Sequence, residues 1–251
     1  MKKVIMFCAA LAVAGTMNAQ LQSKKGENYL PETGEYALGT DATSFLSYFG
    51  NLANGGTNGG FGFGYTNGGL AITGKRFQSE TSAYRGMVRI GIGSMSSTTV
   101  VPATSGTGTV EDKTTMSYNN VTLGGGIEKR RGSTRLQGYY GAMAMINLSG
   151  SKTSYEYGNG AADGDILESK AGSTFGVGVR AFVGAEYFII PKLSIGGEFG
   201  WGVAFSNTGA GETTIQGADA TTTGTSSSFS LDTDNSAFGV APAAVLVHFH
   251  F

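Results

Sequence analysis

Apolar and polar residues alternate along most of this chain, the period expected of a β-strand whose two faces meet different surroundings. In the clearest segment, 193–205, Leu193, Phe199 and Trp201 lie on one face and Glu198 lies on the other among glycine, serine and alanine. The same alternation is present in eight segments, at about 35–45, 69–77, 83–95, 116–129, 134–148, 173–189, 193–205 and 236–251. The pattern predicts an all-β protein of eight strands.

The connections between these segments differ systematically in length. Short turns at 79–82, 130–133 and 190–192 alternate with long polar loops at about 46–68, 96–115, 149–172 and 206–235. Short turns on one side and long loops on the other are typical of transmembrane β-barrels. We therefore predict an eight-stranded antiparallel up-and-down transmembrane β-barrel, with both ends of the barrel segment on the turn side.

The distribution of aromatic and charged residues indicates which face points outward. Aromatic residues of the apolar faces lie near strand ends, Tyr84 and Phe249 on the turn side and Phe175 and Phe205 on the loop side, as in the interfacial girdles of membrane barrels. The other faces carry glycine and isolated charges. The predicted inward charges are Asp41, Lys75, Arg85, Arg89, Glu128, Arg135, Arg180, Glu186 and Glu198. Because buried charges need partners, we predict a paired ionic network that fills the lumen.

Composition and charge exclude several classes of protein. A length of 251 residues suits one domain of this type, and 42 glycines are far more than an average chain carries. Lysine and arginine number 17 against 18 aspartate and glutamate, so the chain has no basic field for nucleic acid. We expect no nucleic-acid partner and no cofactor.

The N-terminus has the features of an export signal. Lys2 and Lys3 precede an apolar run, and Ala19 ends a plausible cleavage site, so we expect residues 1–19 to be a signal peptide. Residues 20–33 are then a short periplasmic lead and 34–251 the barrel. The only cysteine, Cys8, lies in the signal, so we expect neither a disulfide nor a cysteine-bound metal.

The signal, the eight alternating strands and the final Phe251 together resemble the small bacterial outer-membrane β-barrels of the OmpA/OmpX-like superfamily. The stretches 34–39, 48–51 and 74–77 are also similar to families described only as outer-membrane β-barrels. The resemblance implies an outer-membrane location and contact with outer-membrane lipid. It also implies that Phe249 and Phe251 form the C-terminal signal read by the barrel-assembly machinery.

Four local patterns could indicate a binding site instead of a structural role. The segment 69–75 has phosphate-loop spacing, but Arg76 stands where Ser or Thr is required. His248 and His250 share one face like a metal pair, yet the sequence offers no third histidine. Asp163–Asp165 and Asp232–Asn235 offer oxygen ligands for calcium, but neither continues into a full calcium loop. We interpret all four as structural or solvated residues.

The expected function is that of a non-enzymatic barrel whose polar external loops interact with surface ligands or support envelope integrity. The three loops at 96–115, 149–172 and 206–235 are rich in Ser, Thr and Gly and poor in aromatic anchors, so they specify no ligand. Two alternatives remain open: a narrow channel for small solutes, and a membrane enzyme that modifies lipid A.

Overall fold

A computed structural model describes residues 22–23, 26–42, 71–232 and 243–251. These residues form twelve β-strands and no helix. The strands are β1 (Tyr36–Asp41), β2 (Ile72–Ser79), β3 (Ser82–Pro102), β4 (Thr109–Arg131), β5 (Leu136–Glu156), β6 (Ile166–Lys170), β7 (Thr174–Ile190), β8 (Leu193–Thr208), β9 (Glu212–Ile215), β10 (Thr221–Thr222), β11 (Ser226–Asp232) and β12 (Ala243–His250). Within this part of the chain, no helix has the length and apolarity needed to cross a membrane.

Eight of these strands form a closed antiparallel ring. Around the ring the order is β1, β2, β3, β4, β5, β7, β8 and β12, and β12 pairs with both β8 and β1. At the closing seam Tyr36 and Phe251 exchange backbone hydrogen bonds of 2.8 and 2.9 Å, and their rings stack at 6.3 Å. The all-β, antiparallel prediction is confirmed, and each predicted strand overlaps one ring strand.

One end of the ring carries the short connections. Residues 80–81, 132–135 and 191–192 link β2 to β3, β4 to β5 and β7 to β8, close to the predicted turns. Lys192 has a φ of 67° in its two-residue turn, and its carbonyl accepts a 2.8 Å bond from the His250 N–H. We call this the turn end and the opposite end the loop end.

The predicted loops are wrong where they were expected to lack strands. β3 and β4 stay paired from Ser82↔Lys129 to Pro102↔Thr109, so most of 96–115 is a hairpin. Residues 149–172 contain the end of β5 and β6, and 206–235 contains β9, β10 and β11. The described residues therefore form twelve strands instead of eight. The predicted loop 46–68 lies outside the described residues.

The added strands form a second sheet region above the ring, which we call the upper sheet. It consists of 96–102 of β3, 109–115 of β4, 150–156 of β5, and the strands β6, β9 and β10. Its side chains are largely Ser and Thr, and cross-strand hydroxyl contacts such as Ser96 to Thr115 at 3.3 Å link neighbouring strands. β-Branched threonine suits an extended backbone even without an apolar face.

Between the ring and the upper sheet, three neighbouring strands of the sheet are each broken into two shorter strands, and the three breaks lie side by side. β6 and β7 both pair with β5 and are separated by 171–173, while 209–211 separates β8 from β9 and 223–225 separates β10 from β11. Glycines allow the close approach: a side chain at Gly172 would collide with the Gly209 carbonyl. This line of breaks is the bend line of the sheet.

The last ring position is shared by two strands. β11 pairs with the loop-end half of β8 and β12 with its turn-end half, so Asp232 faces Gly202 and Ala243 faces Phe199. The predicted strand 236–251 is therefore described only from Ala243 onward, and residues 233–242 lie outside the described residues. The expected signal at 1–19 lies outside them as well.

Candidate functional site

The interior of the ring is polar and charged. Seven charged side chains, each at most 5% exposed, project inward from five ring strands, which lie on both sides of β5. They are Lys75 on β2, Arg85 on β3, Glu128 and Arg130 on β4, Arg180 and Glu186 on β7, and Glu198 on β8. We call this set the charged cluster. Inward alternation positions each member, and the closed ring excludes water from all seven.

Glu128 joins three cations. Its carboxylate oxygens lie 3.1 Å from Lys75 Nζ, 2.8 Å from Arg130 Nη1 and 3.5 Å from Arg85 Nη1. Because one carboxylate meets three positive groups, the neighbouring acids are needed to balance the charge.

Glu186 and Glu198 are the two neighbouring acids, and together with Glu128 they set three negative charges against four positive ones. Glu186 pairs with Arg130, lies 3.4 Å from Lys75 Nζ, and accepts a 3.3 Å hydrogen bond from the Ser194 hydroxyl. Glu198 lies 2.5 Å from Arg85 and 2.7 Å from Arg180. The four cations and three acids thus form one continuous network, the arrangement that buried charge requires.

Aromatic rings complete the surroundings of three cations. Lys75 Nζ lies 4.7 Å from the centre of the Tyr139 ring, and the guanidinium of Arg85 lies 4.3 Å from that of Phe182. Arg130 lies 5.2 Å from the ring of Phe77. Such contacts offset part of the desolvation cost of a buried cation.

Two inward glycines make room for these side chains. The Arg180 guanidinium lies where a side chain at Gly200 would be, and the Tyr139 ring occupies the corresponding space over Gly184. Glycine is therefore required at these positions by packing, since neither has a positive φ.

Both histidines also point into the lumen. His248 Nε2 lies 3.3 Å from the Thr73 hydroxyl, and its Nδ1 lies 3.7 Å from Glu186. His250 Nε2 lies 3.0 Å from the Ser194 hydroxyl, between the rings of Phe77 and Phe188. Among the described residues, no group of three or more His, Cys, Asp or Glu side chains is arranged to hold a metal.

Two further layers fill the lumen on the loop side of the charged cluster. Met87, Met143, Met145 and Ala204 form a buried apolar cluster. Beyond it the Asn147 amide donates to Thr122 at 2.9 Å and to Asn120 at 3.2 Å. The lumen is thus occupied in successive layers by ion pairs, thioethers and amides.

The residues ahead of β1 cover the turn end. Pro31 is buried, and the Arg135 guanidinium lies 4.0 Å from the centre of the Tyr29 ring. Gly34 N–H donates to the Phe77 carbonyl at 2.8 Å, and Lys192 pairs with Glu35. A cavity of about 560 Å³ remains between this segment and the turns.

The structure brings six of the nine predicted inward charges into the charged cluster: Lys75, Arg85, Glu128, Arg180, Glu186 and Glu198. Arg135 instead lies at the turn end, where it donates to the Phe188 carbonyl at 2.8 Å and to the Ile189 carbonyl. Arg89 is half-buried and forms no ion pair with a described acid. The side chain of Asp41 lies outside the described part of the chain.

The sequence analysis does not include Arg130 or Ser194 among the site residues, although the alternation of 193–205 places Ser194 on the same face as Glu198. Arg130 falls in the predicted turn 130–133, yet in the structure it continues β4 with the inward parity of Glu128 and is 1% exposed. Counting strand parity through the charged run would have found it. Ser194 is fully buried where Glu186 and His250 meet.

Ser194, His250 and Glu186 contain the residue types of a catalytic triad but not its geometry. In a triad the acid orients the ring nitrogen that does not contact the serine. Here Glu186 instead accepts from Ser194, and His250 Nδ1 has no hydrogen-bond partner among the described residues. All three side chains are buried, so no substrate reaches the hydroxyl.

Models of known protein families and the sequences of curated proteins were compared with the chain, and neither comparison produced a match.

Proposed function

We propose that this protein is an integral outer-membrane β-barrel without enzymatic activity. The observation that carries the proposal is the inverted polarity of the ring, which has charges inside and large apolar side chains outside. The exposed apolar residues of the ring strands include Tyr36, Leu38, Ile72, Tyr84, Ile90, Leu123, Ile127, Leu136, Tyr140, Ile146, Leu148, Phe175, Val177, Val179, Val183, Ile189, Phe199, Trp201, Phe205, Phe249 and Phe251. We call them the apolar belt. A soluble monomer does not expose so much contiguous apolar surface.

The height of the apolar belt suits a bilayer. On β5, β7 and β8 the outward apolar positions run over about twelve residue steps, as from Leu193 to Phe205. At about 3.3 Å per residue and a tilt near 45°, twelve steps rise about 28 Å, close to the hydrocarbon thickness. On β4 the belt ends toward the turn end at Lys129, which is exposed.

Insertion into lipid tests this proposal directly. Protein refolded with liposomes should float with the lipid, resist extraction at high pH, and show Trp201 fluorescence quenched by brominated acyl chains, because Trp201 is on the belt and 47% exposed. A folded protein that stays in the aqueous fraction would overturn the proposal. In cells the protein should fractionate with the outer membrane, as the expected signal and assembly aromatics Phe249 and Phe251 require.

The filled lumen supports a barrel that does not conduct. The charged cluster and the methionine layer leave the interior packed across its width. In planar bilayers we expect no steady single-channel conductance. A stable conductance that changes when Arg85 and Glu198 are neutralised would favour the alternative function, a narrow channel for small solutes.

The polar upper sheet supports a role on the external surface, in binding a ligand or in envelope integrity. Lipid A modification is the remaining alternative, and the buried, misaligned Ser194 and His250 argue against it. Mass spectrometry of lipid A with and without expression tests this point; unchanged lipid A is the expected result. The likeness to OmpA/OmpX-like barrels is part of the same proposal, and the closed antiparallel ring of eight strands supports it.

A further inference from the structure

A groove on the outer face lies at the boundary between the apolar belt and the upper sheet. Its volume is about 560 Å³, and its lining includes Ser117, Asn119, Gly150, Lys152, Lys170 and Ser173. The break at 171–173 on the bend line opens one side of it. The floor is Gly150, where an added side chain would touch only Asn119 and Ser173, at 3.4 Å or more.

Strand register shows how sharply polarity changes across this groove. One outward row, Ile90↔Val121↔Leu148↔Phe175, is apolar and belongs to the top of the belt. Four residues farther along the strands, the outward row is Ser94↔Ser117↔Lys152↔Lys170. The groove lies between these two rows, so one of its edges faces hydrocarbon and the other presents cations and hydroxyls.

The two lysines lie directly opposite each other on paired antiparallel strands. Like charges in this position destabilise a sheet unless an anion compensates them. Glu168 lies 2.7 Å from Lys152, and Glu212 faces Lys170 across β9 without forming an ion pair. Lys170 has no ion pair with any described acid, so one cation beside the groove is not neutralised.

We propose that this groove binds the phosphate-bearing headgroup of a membrane lipid in the loop-side leaflet. The inference rests on the proposed transmembrane placement, which puts the acyl chains against the Leu148 and Phe175 row. Lys152 and Lys170 pair with the phosphate, and the Ser173 hydroxyl lines the same groove, as does that of Ser117, which also contacts the Ser94 hydroxyl at 3.1 Å. A headgroup without a phosphate leaves the two lysines facing each other.

Two lipids that differ only in the phosphate test this inference. The detergent-solubilised protein is titrated with phosphatidic acid and with diacylglycerol of the same chains, and retention of each is measured by native mass spectrometry. Phosphatidic acid should bind at least about tenfold more tightly, since each lysine near an anionic headgroup contributes about a fivefold factor. Equal retention of the two lipids would overturn the inference.

Variants locate the site. The double variant Lys152→Ser/Lys170→Ser should lose about tenfold or more of the preference, and Gly150→Leu should lose it by filling the groove floor. Lys113→Ser is the matched control, because Lys113 lies higher on the same sheet and pairs with Glu156. Circular dichroism verifies that each variant folds. Loss of the preference in Lys113→Ser to the same extent would place the effect in general surface charge and contradict the site.

Two further measurements distinguish a lipid site from a site for free phosphate, and failure of this inference from failure of the proposed function. An excess of glycerol 3-phosphate should displace little phosphatidic acid, because the acyl chains contribute to binding; full displacement would indicate a site for free phosphate instead. If the protein inserts into liposomes yet shows no phosphate preference, only this inference fails. If it does not insert, the proposed function fails first.

Discussion

Strands β3, β4 and β5 run from the ring into the upper sheet without interruption, yet the surroundings of their side chains differ between the two regions. In the ring, inward positions carry paired charges and outward positions carry Val, Ile, Leu and aromatic residues. In the upper sheet both faces carry Ser, Thr, Lys and Glu. The side chains of the ion pair Lys113–Glu156 are 46% and 68% exposed. The change occurs within β3, β4 and β5, with no break in pairing. Along these three strands the two regions therefore differ in side-chain chemistry and not in backbone pairing.

This comparison separates two ways of stabilising a strand. In the ring, the cost of each buried charge is offset by its partners, so a single missing partner is expensive. In the upper sheet, water surrounds each polar group, so individual pairs contribute little. Matched substitutions in the two regions should therefore give very different changes in the free energy of unfolding.

The largest difference should come from two glutamates in the ring and the upper sheet. Glu128→Gln leaves Lys75, Arg85 and Arg130 short of a buried counter-charge and should cost about 3–5 kcal/mol. Glu156→Gln removes an exposed pair and should cost less than about 1 kcal/mol. Urea unfolding in lipid vesicles measures both. Similar costs at the two sites would contradict the burial of Glu128 among three cations.

A charge on the outward face should give the next largest difference. Val183→Arg places a guanidinium in the middle of the apolar belt and should cost about 2–4 kcal/mol in a bilayer. Val100→Arg, on the upper sheet and 60% exposed against 56% for Val183, should change stability by less than about 0.5 kcal/mol. The same vesicle unfolding assay applies. Equal costs would indicate that the belt does not contact lipid.

Two glycines of β8 compare the inward and outward faces of one strand. Gly200→Ala forces the Arg180 guanidinium away from its position beside Glu198 and should destabilise by about 1–3 kcal/mol. Gly197→Ala points outward into open space and should be neutral or stabilising by up to about 1 kcal/mol. The midpoint of urea unfolding in lipid vesicles should fall for Gly200→Ala and stay the same or rise for Gly197→Ala. A fall of equal size in both variants would contradict the opposite orientation of the two positions.

The smallest effect is expected at the bend line. Gly172→Ala would push a methyl group against the Gly209 carbonyl, which displaces β6 and β9 but no ring pair. Hydrogen exchange should accelerate at 166–170 and 212–215, while global stability changes by less than about 1 kcal/mol. Faster exchange throughout β7 and β8 would show that the two regions are not separable.

The same contrast explains what the sequence could predict. Ring strands alternate between apolar and small or charged residues, so their number, order and turns were predictable from period two. The upper sheet has no alternation: in Ser96–Thr99 and Thr213–Thr214 both faces are polar, and such segments resemble loops. Its strands exist because neighbouring strands continue past the belt, which is a tertiary effect.

The sequence predicts which residues of the charged cluster point inward, but it does not predict their contacts. Parity along a strand identifies inward residues such as Glu186 and Glu198, but not which of them meet. Arg135 has inward parity, yet it precedes Leu136 at the mouth and donates to backbone carbonyls. Register and height within the ring decide these contacts, and both depend on strand pairing.

The bend line also bears on how the sequence of such a protein can diverge. Above 171–173, 209–211 and 223–225, residues of the upper sheet make no pair that closes the ring. We therefore expect substitutions and insertions on that side to disturb the charged cluster and the apolar belt little. The buried charges restrict change on the other side of the line, because each of them depends on its partners. Sequence variation among descendants of this chain should be sharply unequal across it.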